Sequence, residues 1–202
     1  MGGKVFPECK PFHVDSVYPT VSLVEHLLNV NTYIVGSCYN YDPHREYGDL
    51  DLMVDLDLIL HNTNSKTAKE AKQKIVEQLK DFDIESTYIG NNVHMCIRNK
   101  QVDVMLIKNA EKISKFHQYP PSKYKGRNVH ILMSYIAKQY NMFWSPFNGL
   151  YNRTDGKKGN FITDDVSEVC KHLKLSSFGN VEQLSSQIPN AVFEQAKTDP
   201  NW

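Results

Sequence analysis

The chain has 202 residues, enough for one large domain or two small ones, with 23 Lys and Arg balancing 23 Asp and Glu. That neutrality excludes a protein whose overall field draws nucleic acid, and leaves any such contact to a local patch. Cys9, Cys38, Cys96 and Cys170 form no CxxC pair and read as reduced thiols, not a disulfide scaffold or zinc site; no apolar run nears the roughly 18 residues of a membrane span, and no signal-peptide h-region opens the chain, so a soluble, cytoplasmic protein without a membrane partner is expected.

Residues 1–14, rich in Pro and Gly, read as an irregular lead-in. Apolar residues at 21, 23, 24, 27 and 28 fit a short helix over 21–30. "TYIVGS" predicts a strand ending in a turn at Gly36-Ser37, and "CYNYDPHREYG" a polar loop. In "GDLDLMVDLDLIL" an extended strand would turn Asp49, Asp51, Asp55 and Asp57 to one face and Leu50, Leu52, Val54, Leu56 and Leu58 to the other. "NSKTAKEAKQKIVEQLKDF" predicts an amphipathic helix, capped by Asn64 or Ser65, with a stripe of Ala68, Ala71, Ile75, Val76 and Leu79. "STYIG" reads as a strand, and "VHMCIR" with "QVDVMLI" as a hairpin turning at Asn99-Lys100.

After Ile107 the texture changes. "HQYPPSKYKGR" is a loop held open by two prolines, and Val129, Leu132, Met133 and Ile136 recur at helical spacing. "FNGLYNRTDGKKGNFI" predicts a hairpin turning at Asp155-Gly156. Thr163 can cap a helix carrying Val166, Val169, Cys170 and Leu173, and a last amphipathic segment falls near 190–197. The expected division is an α/β module over 1–110 and a smaller α+β module over 111–202.

Gly36-Ser37, Asp49-x-Asp51 and Asp103 carry the chemistry. Carboxylates at i and i+2 of a strand lie about 7 Å apart at the backbone, so their side chains can converge on two magnesium ions roughly 3.5–4 Å apart. A third carboxylate on a neighbouring strand completes such a shell, since magnesium takes few protein carboxylates beside phosphate oxygens and water. Asp55, roughly 13 Å beyond Asp51, is out of reach, and with Asp57 reads as framework or solvent-facing. Gly36 lets backbone approach a phosphate, and Ser37 offers a hydroxyl. These parts suit in-line phosphoryl transfer.

"VGSCYNYDPHREYGDLDLMV" followed by "QVDVMLI" resembles the nucleotidyltransferase signature of the DNA polymerase β superfamily: GS, then (G/S)DxD, then a third Asp. The second half, "YKGRNVHILMSYIAKQYNMFWSPFNGLYNRTDGKKGNFITDDVSEVCKHLKL", is similar to family X DNA polymerases, in which an aromatic-Thr-Gly element, a helix, a GLY strand and a thumb hairpin follow the palm. The resemblance spans roughly residues 20–175. It implies an α+β fold, a mixed-sheet palm-like domain followed by a thumb-like module. It also implies transfer of a nucleoside monophosphate from an NTP or dNTP to an acceptor hydroxyl, with pyrophosphate released. The acceptor it implies is a nucleic-acid 3′ end, DNA or RNA.

Carried onto this chain, the resemblance gives Asp49 and Asp51 both magnesium ions, with manganese as a substitute, and Asp103 the catalytic ion's shell. Gly36 and Ser37 would hold the triphosphate. The aromatic and the Gly fall on Tyr124 and Gly126, and Lys125 stands where the family has Thr. The family's arginine after GS is replaced by Cys38-Tyr39-Asn40 in a loop about two residues longer, which leaves Arg45 as its candidate substitute. With no room for lyase and helix–hairpin–helix domains, nucleotide transfer is a stronger expectation than templated synthesis. A transferase acting on a protein, tRNA or small-molecule hydroxyl, or a catalytically silent nucleotide-binding module, remains open.

Overall fold

The computed structural model describes residues 5–40 and 42–202, and within them the apolar periodicities resolve into two units, one through Ser114 and one from Lys115. The expected irregular lead-in lies partly outside the described residues, as does Tyr41 of the polar loop. In chain order the first unit contains Phe12–His13 (β1), Val17–Leu28 (α1), Thr32–Val35 (β2), Glu46–Tyr47 (β3), Asp49–Asp55 (β4), Leu56–Asn62 (α2) and Ala68–Lys80 (α3). Glu85–Ile89 (β5), Asn92–Ile97 (β6), Lys100–Ile107 (β7) and Ala110–Ser114 (α4) follow.

Among the described residues, five strands form one mixed sheet in the order β2-β4-β7-β6-β5, and β1 pairs separately with β3. β4 and β7 run parallel, while β2–β4, β5–β6 and β6–β7 are antiparallel. Leu50, Leu52 and Val54 on β4 and Val102, Val104 and Leu106 on β7 face a core shared with Val24 and Leu28 of α1 and Ala71, Ile75 and Leu79 of α3. Each fully buried aliphatic is worth about 1.5–3 kcal/mol. A one-residue slip of β4 would expose three of them at once, so the core fixes which face carries the acidic residues.

The boundaries differ from the sequence expectations in instructive ways. The acidic strand stops at Asp55 instead of running through Leu58, because Asp55 caps α2. Its carboxylate accepts from the Asp57 and Leu58 amides at 2.9 and 3.3 Å. Asp57 therefore sits in a helix's first turn, where an acidic side chain is favoured, not on the carboxylate face, and Leu58 is exposed. The α3 cap is Thr67, whose hydroxyl accepts from the Glu70 amide, so neither Asn64 nor Ser65 serves. Lys72 is buried in α3, its ammonium donating to the Gly90 carbonyl.

The β6–β7 turn falls on Arg98-Asn99, both with positive φ (49° and 59°), one residue before the expected Asn99-Lys100. Positive φ at both central residues is what a two-residue hairpin of matching twist requires.

The second unit contains Gly126–Gln139 (α5), Met142–Ser145 (β8), Gly149–Thr154 (β9), Lys157–Thr163 (β10), Val166–His172 (α6), Val181–Ser185 (α7) and Asn190–Lys197 (α8). β10-β9-β8 form an antiparallel sheet whose β9–β10 turn is Asp155-Gly156, again with both φ positive. α5 buries Val129, Leu132, Met133 and Ile136 and packs against β8, α7 and α8. Asp165, not Thr163, caps α6 by accepting from Ser167 and Glu168 amides. Thr163 instead accepts from the Asp165 amide at 3.0 Å. The chain is thus α+β, a mixed-sheet unit followed by a smaller α+β module.

Candidate metal centre

The parallel pairing of β4 and β7 puts Asp51 opposite Asp103, and alternation along β4 returns Asp49 to the same face. Asp49, Asp51 and Asp103 each offer an oxygen, and these oxygens lie within 4.8 Å of one another. Beyond the triad that face is closed, with Met53 fully buried. Burial, then the charges of Asp49 and Asp103, push Asp51 up to about 7. Burial and Asp103 likewise raise Asp49. Three crowded carboxylates form an all-oxygen donor set that suits a hard cation.

Asp103 is held more firmly than the other two. His94, its register partner on β6, places Nδ1 2.8 Å from Oδ1 in a buried pair. Gln101 donates to Oδ1 at 3.1 Å and to Oδ2 at 3.3 Å, and accepts from the Val5 amide at 3.0 Å. With Asp103 ionised, Nδ1 is the donor, which fixes the imidazole tautomer. A ligand carboxylate oriented by neighbouring donors is the usual second tier of a metal site.

Gly36, directly after β2, lies against Asp51. Its φ is +66°, and a Cβ there would meet Asp51 Oδ2 at 2.5 Å. Only glycine satisfies both conditions. Ser37 and Cys38 continue a 3-10 turn over Gly36–Tyr39. The buried Cys38 thiol donates to the Asp49 carbonyl at 3.3 Å, and burial raises its pKa to about 12, so it is structural here.

Arg45 is exposed, with its guanidinium 5.4 Å from the Tyr47 ring centroid. Tyr124 and Gly126 belong to the second unit. Tyr124 makes edge contacts with Phe193 and Trp202, at 6.3 and 5.6 Å between centroids, and the space a side chain would take at Gly126 is filled by the Tyr119 hydroxyl. Sequence reasoning missed His94 and Gln101. A turn at Arg98-Asn99 sets His94 opposite Asp103; a turn one residue later would set Cys96 there instead, so the hairpin register hid the partner.

The first unit is a mixed five-strand sheet that carries the acidic triad on the adjacent parallel strands β4 and β7. No protein-family model and no curated protein matches the sequence. Solved structures do match, among them the crystal structure of Leishmania infantum polymerase beta in a ternary P/T complex. That likeness covers 89% of this chain and 77% of that chain, with a TM-score of 0.58 and 14% sequence identity. At that identity it establishes a polymerase beta-like fold.

Proposed function

We propose that the chain is a magnesium-dependent nucleotidyltransferase. It moves a nucleoside monophosphate from an NTP or dNTP to a nucleic-acid 3′ hydroxyl and releases pyrophosphate. The observation that carries this reading is the convergence of Asp49, Asp51 and Asp103 within 4.8 Å beside a left-handed Gly36.

Asp49 and Asp51 would hold both ions and Asp103 the one beside the acceptor. Magnesium held there would supply Lewis-acid chemistry, lowering the pKa of the attacking hydroxyl and neutralising charge on the leaving pyrophosphate. His94 and Gln101 keep Asp103 in one rotamer, so the carboxylate need not reorganise when substrate binds. Gly36 and Ser37 would receive the triphosphate through backbone amides and the Ser37 hydroxyl. Arg45, Tyr124 and Gly126 are assigned to nucleotide binding by resemblance. Arg153, Lys157 and Lys158 cluster on the β9–β10 hairpin of the second unit, a source of phosphate contacts for a thumb-like module.

The acceptor is tested by incubating the protein with magnesium and nucleoside triphosphates labelled at the α-phosphate. Primer DNA, tRNA and a protein mixture are offered separately. Label on the DNA primer is the expected result. Label confined to protein would reassign the acceptor while keeping the transfer chemistry, and no label on any acceptor would overturn the reading.

A further inference from the structure

A second group of potential ligands lies away from the carboxylate triad, where the lead-in crosses the sheet. Glu8, Cys9 and Cys96 each present a ligand atom, and the three atoms lie within 4.8 Å of one another. Glu85 is the register partner of Cys96 on the edge strand β5. Its carboxyl lies within hydrogen-bonding reach of the Glu8 carboxyl. Two sulfurs and one carboxylate thus meet in the first unit, with Glu85 on the neighbouring strand.

We propose that Cys9, Cys96 and Glu8, with Glu85 as fourth donor, form a zinc site that staples the lead-in to the sheet. Thiolates select a borderline-soft ion over magnesium, and four protein donors match a closed, structural zinc site. Zinc–sulfur bonds of about 2.3 Å and zinc–oxygen bonds of about 2.0–2.2 Å require tetrahedral donors roughly 3.4–3.8 Å apart. From the 4.8 Å limit the Glu8, Cys9 and Cys96 donors therefore need to close by about 1.4 Å at most, while Glu85, which is not among the atoms within that limit, has to swing in from β5.

The backbone that presents them is already held. The Cys9 amide donates to the Phe6 carbonyl at 3.2 Å, and the Lys10 amide to the Asn99 carbonyl at 2.8 Å. Phe6 and Cys9 are buried, with 4% and 7% of their surface exposed. Metal binding would displace the thiol protons. The staple also reaches toward the carboxylate triad, because the same lead-in supplies the Val5 amide that bonds Gln101, which bonds Asp103.

The test uses the full chain, stripped of metal and kept reduced by a phosphine, titrated with cobalt(II) as a spectroscopic stand-in for zinc. One equivalent should give thiolate-to-cobalt charge-transfer absorption, which zinc then displaces. Cys9→Ser and Cys96→Ser should each abolish the band, and Cys170→Ser should keep it. Asp51→Asn should also keep it, which separates this site from the carboxylate triad. Glu8 is exposed, so Glu8→Gln tests the site without threatening the fold and should weaken zinc at least tenfold. The proposal is overturned by absence of the band in the parent, by its persistence in both cysteine variants, or by zinc affinity unchanged in Glu8→Gln.

Discussion

At position 36 a methyl group would meet the Asp51 carboxylate oxygen at 2.5 Å, and the φ of +66° sets a second penalty on any side chain. The left-handed conformation alone costs a non-glycine residue about 1–2 kcal/mol. Gly36→Ala should therefore lower the melting temperature and, by pushing Asp51 aside, cut transfer at least tenfold. Thermal unfolding and single-turnover incorporation measure the two effects, and a variant indistinguishable from the parent in both would refute the Gly36–Asp51 argument. His94 acts one step further out, as a positioning residue for Asp103. Loss of such a partner commonly costs 10–100-fold in metal affinity or activity. His94→Leu should weaken manganese binding, read by electron paramagnetic resonance, in that range. His94→Asn, whose amide can donate from nearly the same point as Nδ1, should recover part of it; equal affinities in the two variants would show that packing, not the hydrogen bond, matters.

Between elements, the second unit contains a histidine relay whose protonation state the geometry dictates. His117 Nε2 sits 3.0 Å from the Pro146 carbonyl, which only accepts, so Nε2 carries the proton. His117 Nδ1 must then accept from His130 Nε2, 3.2 Å away, leaving His130 Nδ1 buried as a bare acceptor. Charging either ring would set donor against donor at the relay or put charge into a dry site. Burial accordingly lowers His117 to about 4 and drives His130 well below its ordinary value. The folded pKa lies below the unfolded one, so the unfolded chain binds more protons between about pH 6.5 and pH 4. Stability from these rings is complete above that window and falls as the pH drops through it, by roughly 3 kcal/mol for His117 alone at pH 4. Trp144 and Trp202 both lie in this unit, so tryptophan fluorescence in urea follows its unfolding. His117→Gln, which keeps a donor for Pro146 but cannot titrate in this range, should flatten the pH dependence. Equal slopes for variant and parent would rule the relay out as its source.

Over the whole molecule, what the sequence makes legible is whatever repeats locally. The β4 alternation and the α5 stripe are written in apolar spacing, and the β9–β10 turn in Asp155-Gly156. Caps are less legible, because Asn64, Ser65 and Thr67, or Thr163 and Asp165, offer the same chemistry within a few residues. The backbone's point of departure chooses among them. Least legible is pairing between distant segments. The parallel β4–β7 register that faces Asp51 with Asp103 leaves no local trace, nor does the approach of Cys9 to Cys96. His94 was hidden by a single-residue difference in the placement of one turn.

Nucleotidyl transfer through Asp49, Asp51 and Asp103 is tested most directly by following an α-phosphate-labelled nucleoside triphosphate with primer DNA and magnesium. Label on the primer and pyrophosphate released should be quantified together. The parent should transfer label and release pyrophosphate one for one. Asp51→Asn and Asp103→Asn, checked as folded by circular dichroism, should each lose at least about 10³-fold in rate, as expected when a metal ligand in a two-metal reaction is neutralised. Transfer by folded Asp51→Asn at the parent's rate would contradict the account.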